Sequence, residues 1–496
     1  MYLPKSLINF IEEEHPPFQV LSDVNKRRIA YMLWLWSSER YRHISSRYGS
    51  AFSSKFLLNI WGNLATQRKV SAGYFSVGQG GNISGESSSY IPMDFLGRAL
   101  IRCLESSNSD TLIELNGYQM KMPRNVILSR ASNSDPEVKN AKRSVWVGTA
   151  CATSVPINAK ELSAFMSQTN DLKHQLAALR LLKVSRNLLC EGRIPVQYEQ
   201  KSTGRLVEVL SNIQNTPREV LSYALHGCWD YDLSNAHFSI LKAWSNKLGE
   251  LTPVIDHYLK NKRQLRREIA SDCKSDEADI KECLIALLYG AALSSHEKYA
   301  SIGRTLGRSK AELFNKHAFV VALNREIKRL RGHIVRNMKQ HSGRYCNAMN
   351  ISVAPNGKKN EQAVLLCHAL QGYEALALKT VMDHCGEKIL LPMHDGWISS
   401  ERLDRLELER LIKEATGFDL EVEEKQLPKF PPKWVDSQTS DVTQNSLVKA
   451  NTLRINFEEM FDKPSIVKPG SFILSTGPEW NEPKGIFARR GRRSRV

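Results

Sequence analysis

The sequence predicts an α+β fold, and three observations carry that expectation. Long stretches run with helical period, notably 159–190, 276–293 and 360–384. Short alternating or apolar runs at 194–198, 389–400 and 418–424 read as strands. The 496 residues, 42% of them apolar, exceed what one hydrophobic core usually organises, so about two to four subdomains are expected.

Residues 1–70 read as helices carrying aromatics, with YMLWLW at 31–36. Core packing explains such a run better than base stacking. The Gly/Ser-rich stretch 73–92 reads as a loop, and no Gly-Lys-Ser/Thr follows it to make a phosphate loop. Asp135-Pro-Glu137 is formally a DxE pair, but its NSDPEV setting is a turn, so it reads as structural. From Ala159 to Cys190 the pattern is helical. A strand follows, with Ile194, Val196 and Tyr198 alternating, and then a Ser-Thr-Gly-Arg-Leu turn presents Arg205.

Residues 228–240, CWDYDLSNAHFSI, read as a strand that delivers Asp230 or Asp232 to a surface, with a helix starting directly after it. Alone, a helix-capping Asp is the plainer explanation. The basic helix 255–269 follows, and its charges read mostly as a solvated face. In DEADIKECLIALLYGAAL (276–293), Lys281 and Tyr289 stand eight residues apart and so fall within about 80° on one helix face. After another amphipathic helix, ILLPMHDGWISS (389–400) reads as a β-hairpin with Asp395 at its tip. The chain ends in an irregular stretch, 428–496, in which five of the last eight residues are Arg, read as a disordered tail with non-specific phosphate affinity.

Composition narrows the function. A formal charge of +17 and a pI of about 9.4 suit a polyanionic partner, nucleic acid first. The nine cysteines form no CxxC pair and are odd in number, which favours free thiols over a disulfide framework or a zinc site. No apolar run approaches the ~20 residues that cross a bilayer, and the start lacks a signal-peptide pattern. A soluble, intracellular protein with no membrane partner is expected.

Two carboxylates on adjacent strands, with a lysine on a facing helix, are the kit for nucleotidyl transfer. The acids suit two divalent cations, and the lysine suits a triphosphate or a leaving pyrophosphate. The ordered series STGRL, NIQNTPR, DLSNAHFSI, KECLIALLYG, LQGYEALAL and MHDG resembles the family A DNA polymerases and the related single-subunit phage RNA polymerases. The likeness covers about residues 195–425. It rests on six pieces in order, none of them specific alone.

The resemblance implies a right-hand fold with an antiparallel palm sheet, helical fingers and a thumb. It places an N-terminal accessory region at 1–157, thumb-like helices at 158–191, the palm at 192–240 and 346–427, fingers at 241–345 and the basic tail at 428–496. It implies that Asp232 and Asp395 bind two Mg²⁺ ions, with Asp230 as the alternative acid and Mn²⁺ as the alternative ion. Lys281 is then both catalytic and nucleotide-binding. Ile285, Tyr289 and His237 contact the nucleotide, His237 standing where DNA polymerases keep a glutamate that blocks a ribose 2′-hydroxyl. Arg205, Gln214, Gln371 and His394 contact the DNA template and primer.

The sequence also departs from the family. Glu277 stands where motif B usually has a basic residue, and Arg266 or Arg267 is expected to supply the charge from a neighbouring helix. Gly396 replaces the usual acid or serine of motif C. The Asn-Ala-His form of motif A points to a divergent branch of the phage and mobile-element kind. The expected activity is template-directed DNA synthesis from dNTPs and a primer, without an evident proofreading domain. An RNA polymerase or primase of the same superfamily is the alternative, and an inactive nucleic-acid-binding relative comes third. Residues 1–157 are candidates to meet a replication partner. The expected setting is the cytoplasm of a bacterial or phage-infected cell, or else an organelle.

Overall fold

Alternation along Trp229–Leu233 (β1) makes the spine of the main sheet. Tyr231 and Leu233 point into the core, at 0% and 2% exposure, and Asp230 and Asp232 take the other side. The helix Ala236–Lys247 (α1) starts after a two-residue gap, with Asn235 in the left-handed region at φ 47° as its N-cap. Then come Pro253–Cys273 (α2), Glu277–Leu288 (α3) and Glu361–Cys385 (α4). The strands Ile389–Pro392 (β2), Gly396–Ser399 (β3) and Val422–Gln426 (β4) complete a four-stranded antiparallel sheet in the order β2-β3-β1-β4.

This computed structural model describes residues 2–37, 50–52, 54–77, 88–106, 110–119, 146, 151–186, 191–357 and 360–428, all within one compact unit. Asp135-Pro-Glu137 and the basic tail lie outside the described residues.

The sheet's core face is aromatic. Tyr231 stacks on Trp397 with centroids 5.5 Å apart and planes at 8°. Behind it α4 buries residues along most of its 25-residue length and packs against α1 and against helices Ala318–Arg336 and Arg405–Thr416. The N-terminus of α2 is held by the buried carboxylate of Glu326, which accepts from Ile255 N at 2.8 Å and Val254 N at 3.2 Å. Non-helical geometry at Asn261 then kinks α2 next to Lys262.

The N-terminal residues form helices Ser6–Glu14, Asp23–Trp36 and Asp94–Glu105, with a small sheet in which Ser88–Pro92 lies between Ser50–Phe52 and Phe75–Val77. Met32, Leu33, Trp34 and Trp36 are buried, so the aromatic run is core, as its pattern suggests. Lys183, itself buried, contacts Asp110 at 3.6 Å and ties this part to helix Leu172–Ser185.

The helical stretch 159–190 holds two helices, Ala159–Gln168 and Leu172–Ser185, separated at Thr169-Asn170-Asp171. Two details differ from the sequence reading. The strand expected at 194–198 is two short strands. Arg193–Pro195 pairs with Ser154–Pro156, Tyr198–Gln200 pairs with Leu206–Glu208, and neither joins the main sheet. Pro195 has no N–H to continue a ladder. The last strand begins at Val422 rather than at Phe418. All eight described cysteines are free. Among the described residues no helix is long and apolar enough to cross a membrane.

Candidate active site

The hairpin between β2 and β3 closes tightly. Met393 N donates to Gly396 O at 2.8 Å, which leaves His394 and Asp395 at the tip. Asp232 pairs in register with Gly396, and Leu233 N donates to Asp395 O at 2.8 Å. Two carboxyl-bearing residues, 163 positions apart (395 − 232), thus meet at the ends of neighbouring strands. Gly396 is a steric necessity there: a Cβ on it would lie 2.1 Å from Tyr231 O. The ladder as it stands has no room for a side chain at this position.

The meeting is electrostatically costly for Asp232. Burial first, and then the charge of Asp395, push its carboxyl from the ordinary 3.8 up to about 7, against the pull of Arg218.

In front of this pair opens a cleft of about 460 Å³. It gathers Asp232, His237, Lys281, Ile285, Tyr289, Arg205, Arg266, His394 and Asp395, all singled out from the sequence. Lys281 and Tyr289 both face it from α3, as their spacing requires, and Lys281 has no hydrogen-bond or ion-pair partner among the described residues. Tyr289 ends α3 in a Schellman motif: Gly290 N donates to Leu287 O and Ala291 N to Ala286 O, both at 2.9 Å. Gly290, at φ 89°, serves the left-handed position, where a Cβ would also stand 2.4 Å from that of Ala363. Arg205 leaves a tight turn in which Gly204 has φ 99° and packs on Met349 and Ala375.

Three cleft residues meet around one buried carboxylate, itself in the cleft wall. Glu374, 1% exposed on α4, accepts from Arg205 Nη2 at 2.7 Å and contacts His237 Nε2 at 2.6 Å. The other ring nitrogen of His237 is hydrogen-bonded to the Tyr289 hydroxyl, and the two rings meet edge-on at 5.4 Å. Burial alone opposes ionisation of Glu374, but His237 and Arg205 more than offset it and hold the carboxyl below the usual range. Burial pushes the Tyr289 phenol far up, so it stays neutral and can donate.

Some predicted residues stand elsewhere. Asp230 borders a separate recess of about 40 Å³ beside Asp232, Arg218 and Ile398, not the main cleft. Gln214 is buried, accepting from Glu208 N and donating to Leu206 O and Pro392 O, so its amide is spent within the protein. Gln371 is half-buried on α4 and is not among the cleft residues. Arg267, 72% exposed, contacts Glu277 at 3.7 Å outside the cleft. Arg266 is inside it, with Nε on the Tyr258 hydroxyl at 2.9 Å and Nη2 on Asn235 Oδ1 at 3.2 Å.

The sequence reading missed other cleft residues. Lys262 and Arg263 of α2 line it, so that helix is not mainly a solvated face where it passes the site. Lys262 reaches Ser234 Oγ at 3.0 Å and Glu423 Oε1 at 3.3 Å. Arg218, Glu423 and Lys425 line the cleft too. Its charged wall holds seven cations (Arg205, Arg218, Lys262, Arg263, Arg266, Lys281, Lys425) against four carboxylates (Asp232, Glu374, Asp395, Glu423), a balance that suits a polyphosphate. Glu374 left one signal, a lone charge inside the apolar run ALQGYEALAL.

No group of three or more His, Cys, Asp or Glu residues placed to hold a metal occurs among the described residues. The Asp232–Asp395 pair does fit hard divalent cations. Its donors are all carboxylate oxygens, and the raised Asp232 carboxyl needs either a proton or a cation beside it at neutral pH.

No protein-family model matches the chain, and neither does any curated protein sequence. Among solved structures, it is similar to the polymerase domain of Pol1 from M. smegmatis in complex with DNA primer-template and dNTP, with 18% identity and a TM-score of 0.36. That match covers 60% of this chain and 61% of the other, so the chain spans less than two thirds of the structure it matches.

Proposed function

We propose that the chain is a template-directed DNA polymerase, adding dNTPs to a primer 3′ end by two-metal-ion nucleotidyl transfer. One observation carries the reading: a single cleft collects Arg205, Asp232, His237, Lys281, Tyr289, His394 and Asp395 from segments scattered over nearly two hundred residues. The sheet β2-β3-β1-β4 serves as the palm, α2 and α3 belong to the fingers, and helices Ala159–Gln168 and Leu172–Ser185 make the thumb.

In this reading Asp232 and Asp395 hold two Mg²⁺ ions, which when bound supply positive charge at the reacting phosphate and hydroxyl oxygens. Lys262, Arg263, Arg266 and Lys281 receive the triphosphate, since α2 and α3 bring all four to one wall. Arg266 takes the place of the basic residue that Glu277 displaces. Tyr289 and Ile285 offer a flat, apolar surface to the incoming base and sugar. Lys281, unengaged by other side chains, can give an Nζ proton to the departing pyrophosphate. Arg205 and His394 face the primer terminus. Pairing with the template selects the base, and the protein holds the backbone through charge, so binding falls steeply with salt.

The test is primer extension on a DNA template with Mg²⁺, using dNTPs and rNTPs in separate reactions beside Asp395→Ala. Extension with dNTPs that the substitution abolishes is the expected result. Products from rNTPs alone without primer would move the protein to an RNA polymerase or primase. Activity that survives Asp395→Ala would displace the metal site.

A further inference from the structure

Glu374 is the one fully buried carboxylate among the described residues of the cleft wall, and its charge is held there by Arg205 and His237. It comes from the middle of α4, 1% exposed, among apolar neighbours. Oε2 meets both Arg205 and His237, while Oε1 is buried without a hydrogen-bond partner among the described residues. A buried ionic group of this kind is seldom the most stable way to fill a core, so a role outside stability is the economical explanation.

The geometry shows what it constrains. His237 stands in the first turn of α1, five residues after Asp232. Its two ring nitrogens face groups on two other helices: Nδ1 is hydrogen-bonded to the Tyr289 hydroxyl at the end of α3, and Nε2 lies 2.6 Å from Glu374 Oε2 of α4, an ion-pair contact without hydrogen-bond geometry. Contacts at both nitrogens restrict the ring's rotamer and plane where it lines the cleft with Asp232 and Tyr289. A histidine held by Tyr289 alone could swing about its χ angles and vacate that space.

We infer that Glu374 is a positioning residue for sugar selection: by clamping His237 it holds the imidazole where a ribonucleotide's 2′-hydroxyl would collide with it. The inference rests on the polymerase reading above. It adds that the selectivity of His237 depends on a carboxylate 137 positions away in the chain (374 − 237). Arg205 shares the same carboxylate, but its role at the primer end applies to both kinds of nucleotide, so loosening Arg205 would lower both rates together.

The experiment is single-nucleotide primer extension with a matched dNTP and rNTP, giving the ratio of their kcat/KM values for the wild type, His237→Ala, Glu374→Gln and the double variant. The ratio is internal to each preparation, so a partly unfolded sample leaves it unchanged. The wild type is expected to prefer the dNTP. His237→Ala and Glu374→Gln should each lower that preference by about tenfold or more. Adding Glu374→Gln to His237→Ala should change it by less than about twofold, because the clamp then has nothing to hold.

A Glu374→Gln ratio equal to the wild type's overturns the inference while leaving the polymerase intact. So does a double variant whose losses multiply, since Glu374 would then act independently of His237. An unchanged ratio in His237→Ala, or a wild-type preference for the rNTP, also overturns it. Extension by the wild type with neither nucleotide fails the polymerase reading and takes the sugar assignment with it.

Discussion

Replacing Asp232 by asparagine (Asp232→Asn) should stabilise the protein at alkaline pH while it abolishes nucleotidyl transfer. The carboxyl titrates at about 7 in the folded chain against its ordinary 3.8. A raised acid works against folding once the unfolded chain has ionised: above pH 4 the native state holds a proton that the unfolded state has released. Stability therefore falls as pH rises from about 4 to about 7 and is flat beyond. The span of about 3 pH units corresponds to about 4 kcal/mol at pH 8, under 1 kcal/mol at pH 4 and about 2 kcal/mol at pH 5. An amide at this position does not titrate, so the variant's advantage should grow along that curve toward a ceiling of about 4 kcal/mol.

The assay is urea unfolding with EDTA present, at pH 5 and pH 8. Tryptophan emission can report it, because Trp397 sits fully buried in the sheet and stacks on Tyr231. Mg²⁺ should stabilise the wild type at pH 8, do much less at pH 5, and do much less for the variant at either pH, since binding to the native state alone raises stability by mass action. A variant less stable than the wild type at pH 8, or an advantage independent of pH, would refute the claim that Asp232 is held at a strained, metal-ready position.

Gly396→Ala should lower the melting temperature sharply and cost more than about 3 kcal/mol, because its Cβ would stand 2.1 Å from Tyr231 O inside the ladder; calorimetry measures it. Lys281→Ala and Arg266→Ala should each raise the KM for dNTP by about tenfold or more, whereas Arg267→Ala should change it by less than about twofold, as steady-state extension will show. Glu326→Ala should cost about 2 kcal/mol in chemical unfolding, since it leaves the Val254 and Ile255 N–H groups at the start of α2 without their acceptor.

What the sequence made legible is what local pattern and spacing control. The hairpin at 389–400 follows from two apolar runs around a turn, and the strand-to-helix passage at 228–240 from alternation that stops at Ser234-Asn235. Lys281 and Tyr289 share a face because any helix of that register must put them there. Asp232 was separable from Asp230 only once pairing was known. The two acids lie on the same side of β1, and it is the register of Asp232 against Gly396 that brings one of them, not the other, to the strand end where Asp395 turns.

The rest depended on meetings between distant segments. Of five basic residues on α2, Lys262, Arg263 and Arg266 enter the cleft while Lys260 and Arg267 do not, and no periodicity in the sequence says which way that helix is turned. The turn is set from outside, by Glu326 holding the first N–H groups of α2 and by the break at Asn261. Glu374 shows the same dependence more strongly. As a lone acid in an apolar helix it would be expected to surface, and it stays inside only because Arg205 and His237 arrive from elements 169 and 137 residues upstream (374 − 205; 374 − 237) to hold its charge. Glu374 is buried and Arg205 and His237 are half-buried at the cleft, each held by the others, so the cluster has no local signature. A charge out of place in an apolar run is the trace it leaves in the sequence, and such a charge marks where a distant cation must come.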